Sequence, residues 1–130
     1  MTLLDTHIWL WWCEGNPRLK SRLPWLDAQP RDDLAISIFT IWEIAKLSEI
    51  GRISLPDPVL DWVRNNLIGT GVQVIPLSKE IAVDACALPK PFHQDPADQI
   101  IVSTARALNC ELLTVDGRIL LYPHVKSISV

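Results

Sequence analysis

Several things are scarce in this chain of 130 residues, and each scarcity closes off a class of protein. It has five glycines, none in a GxGxxG or GKS/T pattern, so it carries no glycine-rich phosphate loop. Its three cysteines, Cys13, Cys86 and Cys110, are odd in number and far apart. They form neither a disulfide framework nor a thiolate zinc site, and they suit a reducing cytosol. No apolar run approaches the roughly 20 residues of a membrane-spanning helix. The opening Met1-Thr2-Leu3-Leu4-Asp5 reaches a charge at once and lacks the basic and apolar stretches of a signal peptide, so a cytoplasmic location without membrane contact is expected. Neither sign of charge dominates. Twelve basic residues against 15 acidic leave a net charge of −3, which argues against a broad basic surface for non-specific nucleic-acid binding. A local site holding phosphate through metal ions remains open.

What is present is apolar. Hydrophobic residues make up 48% of the chain and charged residues 21%, which excludes intrinsic disorder. The length predicts a single domain over residues 1–130, with a core that needs no disulfide or metal staple. Strand and helix signals alternate. Leu3-Leu4 reads as a buried strand ending at Asp5, and Ile8 to Cys13 as a short helix before Gly15-Asn16-Pro17. Arg18 to Ala28 is helical with a break at Pro24, and Leu34 to Ile38 is a second strand. Thr40 is expected to open a helix that runs to Ile50 and is closed by Gly51. Further helices are expected over Val59 to Ile68, Ser78 to Leu88 and Ala97 to Leu108, with strands at Val72 to Ile75 and Leu112 to Val115. A short last helix and a strand near Ser127 to Ile128 finish the chain. This alternation predicts an α/β fold whose mostly parallel sheet is covered on both faces. Sites in such folds lie at the carboxyl ends of the strands.

That topology sends four acids to one rim. Asp5 and Asp116 follow strands directly. Glu43 and Asp98 lie in the first turns of helices that begin at the same edge. On a helical wheel Asp98 shares a side with Ile101, Val102 and Ala105, opposite Gln99, Ser103 and Arg106, while Glu43 shares a side with Leu47 and Ile50. Carboxylates facing a core are costly unless compensated, and several together repel unless a cation sits among them. Hard divalent cations, Mg²⁺ or Mn²⁺, match oxygen ligands. Each acid also has a plain reading. Thr40-Ile41-Trp42-Glu43 is a capping box, Asp95 is a helix N-cap before Pro96, Asp5 can be a strand-end turn residue, and Asp116-Gly117 is a turn signal.

Four segments then resemble a PIN-domain ribonuclease, specifically the VapC-type toxins of bacterial type II toxin–antitoxin pairs. They are Leu3-Leu4-Asp5-Thr6-His7, Thr40-Ile41-Trp42-Glu43-Ile44-Ala45, His93-Gln94-Asp95-Pro96-Ala97-Asp98-Gln99-Ile100-Ile101 and Leu113-Thr114-Val115-Asp116. They come in the family's order and spacing, and the resemblance covers essentially the whole chain. It implies a three-layer α/β/α domain and an acidic pocket of Asp5, Glu43, Asp98 and Asp116 holding one or two Mg²⁺ or Mn²⁺ ions. It implies RNA cleavage, silencing by a cognate antitoxin whose tail wraps the toxin, and a homodimer. Asp5 and Asp98 are the expected direct ligands, joined by Glu43 and Asp116, with Thr6 and Thr114 orienting ligands or water from behind. One departure is Gln99, where many relatives carry Arg.

Other residues carry weaker signals. Six tryptophans include the cluster Trp9, Trp11 and Trp12, read mainly as core or interface and secondarily as a base-stacking surface. His7 reads as structural, and His93 and His124 have no informative spacing. Lys46, Lys90, Arg106 and Arg118 are candidate phosphate contacts or plain surface charges. Against the nuclease stand three alternatives. A PIN-like binding module with an idle pocket is opposed by the four intact acids. A phosphoacceptor receiver lacks its Asp after the third strand, and a haloacid-dehalogenase-like phosphatase lacks Asp-x-Asp, which Asp5-Thr6-His7 does not supply.

Overall fold

The computed structural model describes residues 1–130. Five strands, β1 (Thr2–Leu4), β2 (Leu34–Ser37), β3 (Gln73–Ile75), β4 (Glu111–Leu113) and β5 (Ser127–Ile128), form one sheet in the order β3-β2-β1-β4-β5. Every pairing is parallel, as the alternation of strands and helices requires. Seven α-helices connect and flank them: α1 (Thr6–Glu14), α2 (Leu23–Ala28), α3 (Ile38–Glu49), α4 (Val59–Thr70), α5 (Lys79–Ala85), α6 (Pro96–Leu108) and α7 (Gly117–Leu120).

Successive side chains on a strand point to opposite faces, and this splits the interior into two cores. Leu4, Leu34, Ile36 and Leu113 pack with Ile8, Trp9, Ile44, Trp62 and Val63 from α1, α3 and α4. Leu3, Ala35 and Leu112 pack on the other face with Ile101, Val102, Ala105 and Ile119 from α6 and α7. The three-layer arrangement follows directly. Each fully buried aliphatic side chain contributes about 1.5–3 kcal/mol, so the two cores hold the sheet's carboxyl edge rigid beneath whatever sits on it. No helix is long and apolar enough to cross a membrane.

Several expected boundaries move. The second strand stops at Ser37, not Ile38, and α3 starts two residues before Thr40. The Ser37 hydroxyl caps it by accepting from the Phe39 N–H at 3.0 Å. Thr40 therefore does not open the helix, and its hydroxyl pairs with that of Thr6 at 3.0 Å instead. The Ser78 cap is present, accepting from the Ile81 N–H at 3.1 Å, but α5 ends at Ala85 rather than Leu88. Strand β4 covers Glu111–Leu113 rather than Leu112 to Val115. Ser103, expected on the polar side of α6, is fully buried.

Candidate active site

The chain leaves β1 and enters α1 through Asp5. Its Oδ1 caps α1 by accepting from the Thr6 N–H at 2.8 Å, and its Oδ2 accepts from the Thr114 hydroxyl at 2.6 Å. Thr114 in turn accepts from the Asp116 N–H at 3.0 Å. One hydroxyl thus ties the ends of β1 and β4 together and fixes two of the acids. Asp5 is only 7% exposed, and Thr6 and Thr114 are fully buried.

Asp98 stands in the first turn of α6. Asp95 caps that helix through the Ala97 N–H at 2.9 Å, with Pro96 at the first helical position. This leaves the Asp98 carboxylate for other work, and its Oδ2 lies 2.6 Å from His93 Nε2. Asp116 caps α7 through the Arg118 N–H at 2.8 Å, a helix-capping role beside its expected place among the site acids. The Arg118 guanidinium reaches both acids, at 3.2 Å from Asp116 and 3.6 Å from Asp98. Glu43, released from a capping box by the earlier start of α3, is half-buried on the same side. Asp5, Glu43, Asp98 and Asp116 line one cleft of about 410 Å³, with His7, Trp11 and Arg18 among its other walls.

The electrostatics are those of crowded like charges. Burial raises the Asp5 carboxyl above its ordinary value, opposed by the Thr114 and Thr6 hydrogen bonds and reinforced by Asp116. Burial also raises Glu43; the Thr6 hydroxyl opposes this, while repulsion from Asp5 and Asp98 adds to it. Asp98 is raised by burial too, with His93 opposing and Asp5 and Asp95 adding repulsion. Asp116 goes the other way. Burial alone would raise it, but the hydrogen bonds and charge of Arg118 hold it below the usual range. Arg118 is 61% exposed and is the one lysine or arginine within salt-bridge reach of these four carboxylates.

The structure brings all four expected acids and both threonines together. It also adds His93, which motif reading passed over, since the ligand-capable atoms of His93, Asp98 and Asp116 lie within 4.8 Å of one another. Gln99 donates from Nε2 to the His93 carbonyl at 3.2 Å and so holds the loop that presents the imidazole, a role for the residue that departs from the family pattern. Arg106 is not at the site; it pairs with Asp84 at 3.0 Å and with the His124 carbonyl at 2.8 Å. The tryptophans divide. Trp9 is fully buried, packs edge-on against Trp62 and donates from Nε1 to the Thr70 hydroxyl at 3.1 Å. Trp11 reaches the cleft, with Arg18 5.3 Å above its ring. His7, read as structural, is exposed at the cleft wall, 5.9 Å from the Trp11 ring.

Thr114→Val tests the tie between the strands. It leaves the buried Asp5 Oδ2 and the Asp116 N–H without their partner, which costs about 1–3 kcal/mol. Denaturant unfolding of the metal-free protein is expected to show that loss. A difference below about 0.5 kcal/mol would mean the tie is not formed.

A parallel sheet in this order, acids directly after its first and fourth strands, and two more from the helices that follow β2 and lead into β4 define a class, and sequence comparison agrees. The chain belongs to the PIN domain family, whose profile matches residues 2–124. It is 33% identical over 128 residues to Ribonuclease VapC22 of Mycobacterium tuberculosis (strain ATCC 25618 / H37Rv), a match covering 98% of this chain and 96% of that protein. Among solved structures, a toxin-antitoxin complex from Klebsiella pneumoniae superposes with a TM-score of 0.70 at 23% identity, covering 98% of this chain and 96% of the other. VapBC2 from Rickettsia felis, bound to a DNA fragment from its promoter, gives 0.71 at 18% identity, covering 99% and 98%. These two likenesses bear on the fold.

Proposed function

We propose that this chain is a metal-dependent endoribonuclease that hydrolyses RNA phosphodiester bonds and acts as the toxin of a toxin–antitoxin pair. One observation carries the reading: Asp5, Glu43, Asp98 and Asp116 converge on one cleft in a PIN-domain chain that is 33% identical to a VapC ribonuclease.

The donor set fits a hard divalent cation. All four acids offer oxygen, and three are raised by burial and mutual repulsion, opposed in part by hydrogen bonds from Thr6, Thr114 and His93. Asp5 and Asp98 are the first ligands, and Glu43 and Asp116 complete the set. When bound, Mg²⁺ or Mn²⁺ supplies Lewis acidity that makes water nucleophilic and offsets charge building on the phosphate and the leaving oxygen. The chain does the positioning. Thr6 and Thr114 hold the Asp5 carboxylate in one orientation, so little reorganisation is needed as charge develops. His93 fixes Asp98 in the same way. Arg118, at the cleft mouth, exchanges its carboxylate partners for the phosphate of the incoming strand.

The same reading gives the chain protein partners, a cognate antitoxin and a second copy of itself. The face of α3 next to the cleft supports this. Trp42 is 53% exposed, stacks on Phe39 at 4.8 Å, and borders an apolar pocket of about 230 Å³ that Leu47, Pro96 and Glu43 also line.

The test is cleavage of single-stranded and structured RNA by purified protein in Mg²⁺ or Mn²⁺, with a chelated control. Metal-dependent internal cleavage is expected. Cleavage unaffected by chelation would remove the metal from the reading, and absence of cleavage on all RNAs would favour a binding module.

A further inference from the structure

Beside the acidic cleft lies a second cavity, of about 430 Å³, that the four carboxylates do not line. His93 and Arg118, which bond to the cleft's acids, stand in its wall. Its aromatic residues differ in depth. Tyr122 is 5% exposed and Phe92 half-buried, with their rings 4.7 Å apart, so these two form the floor. Lys90, Pro91, Leu121, Pro123 and His124 are exposed and form the rim. The walls are pinned. The Tyr122 hydroxyl donates to the Pro89 carbonyl, Arg106 holds the His124 carbonyl, and Gln99 holds that of His93. The cavity is therefore built before any ligand arrives.

We propose that this cavity is a nucleobase subsite, which takes the base of the nucleotide next to the scissile phosphate of a single-stranded RNA. This rests on the ribonuclease reading and extends it to how the strand is held. Three features select that occupant. An aromatic floor beneath a rim that includes Pro91, Leu121 and Pro123 suits a π-face, as in single-strand binding grooves. The volume falls in the range of about 300–1,000 Å³ of small-ligand pockets. The rim charges, Lys90 and Arg118, complement a phosphate backbone, and they are local to this wall in a chain whose net charge is −3. Arg118 stands between base pocket and acids, so a strand with its phosphate on Arg118 has one neighbouring base over Phe92 and Tyr122. The subsite thereby contributes to choosing which nucleotide flanks the cut.

The test reads binding apart from turnover. The four ribonucleoside 5′-monophosphates, and ribose 5-phosphate as a control without a base, are titrated into isotopically labelled protein in chelator and followed by amide NMR shifts. At least one nucleotide is expected to shift amides of Lys90, Phe92, His93, Leu121, Tyr122 and His124 while ribose 5-phosphate does not. Leu121→Asp and Lys90→Glu, both at exposed positions, and Phe92→Leu, which keeps apolar volume but removes the ring, are each expected to weaken that binding roughly tenfold. The same variants should raise KM for RNA more than they lower kcat. Shifts confined to other surfaces, equal shifts with ribose 5-phosphate, or no shifts at all would overturn the subsite. Cleavage of RNA without nucleotide binding here refutes the subsite and leaves the ribonuclease standing; binding here without any RNA cleavage refutes the ribonuclease.

Discussion

Asp5→Asn lowers metal-dependent RNA cleavage by roughly 10³-fold or more and leaves the fold in place. The reasoning starts at the loop after β1. Asp5 is the most buried of the four acids and is bonded from both sides, by the Thr6 N–H and the Thr114 hydroxyl. Asparagine keeps the size and can still accept from Thr6, so the cap of α1 survives. It removes the negative charge of the most buried of the four acids, and with it several kcal/mol of interaction with a divalent cation. Since each 1.36 kcal/mol is about a factor of ten in rate, the loss is large. Single-turnover cleavage of the same RNA by both proteins checks this, with circular dichroism and thermal melting confirming the fold. Cleavage within a factor of about ten of the parent would remove Asp5 from the machinery.

Divalent cation raises the melting temperature on the order of 10 °C at a hundredfold excess over its dissociation constant, and does so more at neutral pH than at pH 5. The sign comes from Asp5, Glu43 and Asp98, all raised above ordinary values of 3.8, 4.5 and 3.8 in the folded chain. Over the window between unfolded and folded values, the native state binds more protons than the unfolded state. The stability these groups contribute in chelator is therefore fully present below the unfolded values and is lost as pH rises through the raised folded ones. Asp116, which is lowered, contributes in the opposite sense: its stability is present above 3.8 and lost as pH falls through its lower folded value. Cation binding needs the three raised carboxylates deprotonated, so protons compete with it and its stabilisation shrinks toward acid. Glu43→Gln should raise the metal-free melting temperature at pH 7 and diminish the increment due to Mn²⁺. Melting curves at pH 5 and 7.5, in chelator and in Mn²⁺, decide the matter. Equal increments at both values would contradict the linkage.

The meeting of the four acids was legible because it needed only topology. A parallel sheet has one carboxyl edge: Asp5 and Asp116 directly follow strands there and Asp98 stands in the first turn of α6, while Glu43, expected in a first turn, stands one turn further into α3 and still lines the cleft. The finer wiring depended on packing that spacing does not encode. Thr40-Ile41-Trp42-Glu43 satisfies a capping box, yet Ser37 also caps and starts the helix earlier, which turns Thr40 toward Thr6 and frees Glu43. His93 reaches Asp98 because the loop before α6 folds back across that helix's first turn, held by Gln99. Arg118 reaches two acids because α7 is a single short turn capped by Asp116. The base-sized cavity joins Phe92 to Tyr122, two loops that no motif links. A preceding Asx cap also separates the roles in α6: Asp95 serves the backbone, so Asp98 serves the site.

The account stands on one claim, that these carboxylates share a cation. Crystals grown with Mn²⁺ and measured near its absorption edge test it without reference to any substrate. The expected result is an anomalous peak bounded by Asp5, Asp98 and Asp116, on the side that Glu43 faces, and absent from Asp5→Asn crystals grown alike. A cleft with no peak, or ions found only on other surfaces while Asp98 and Asp116 keep their Arg118 and His93 contacts, would contradict it.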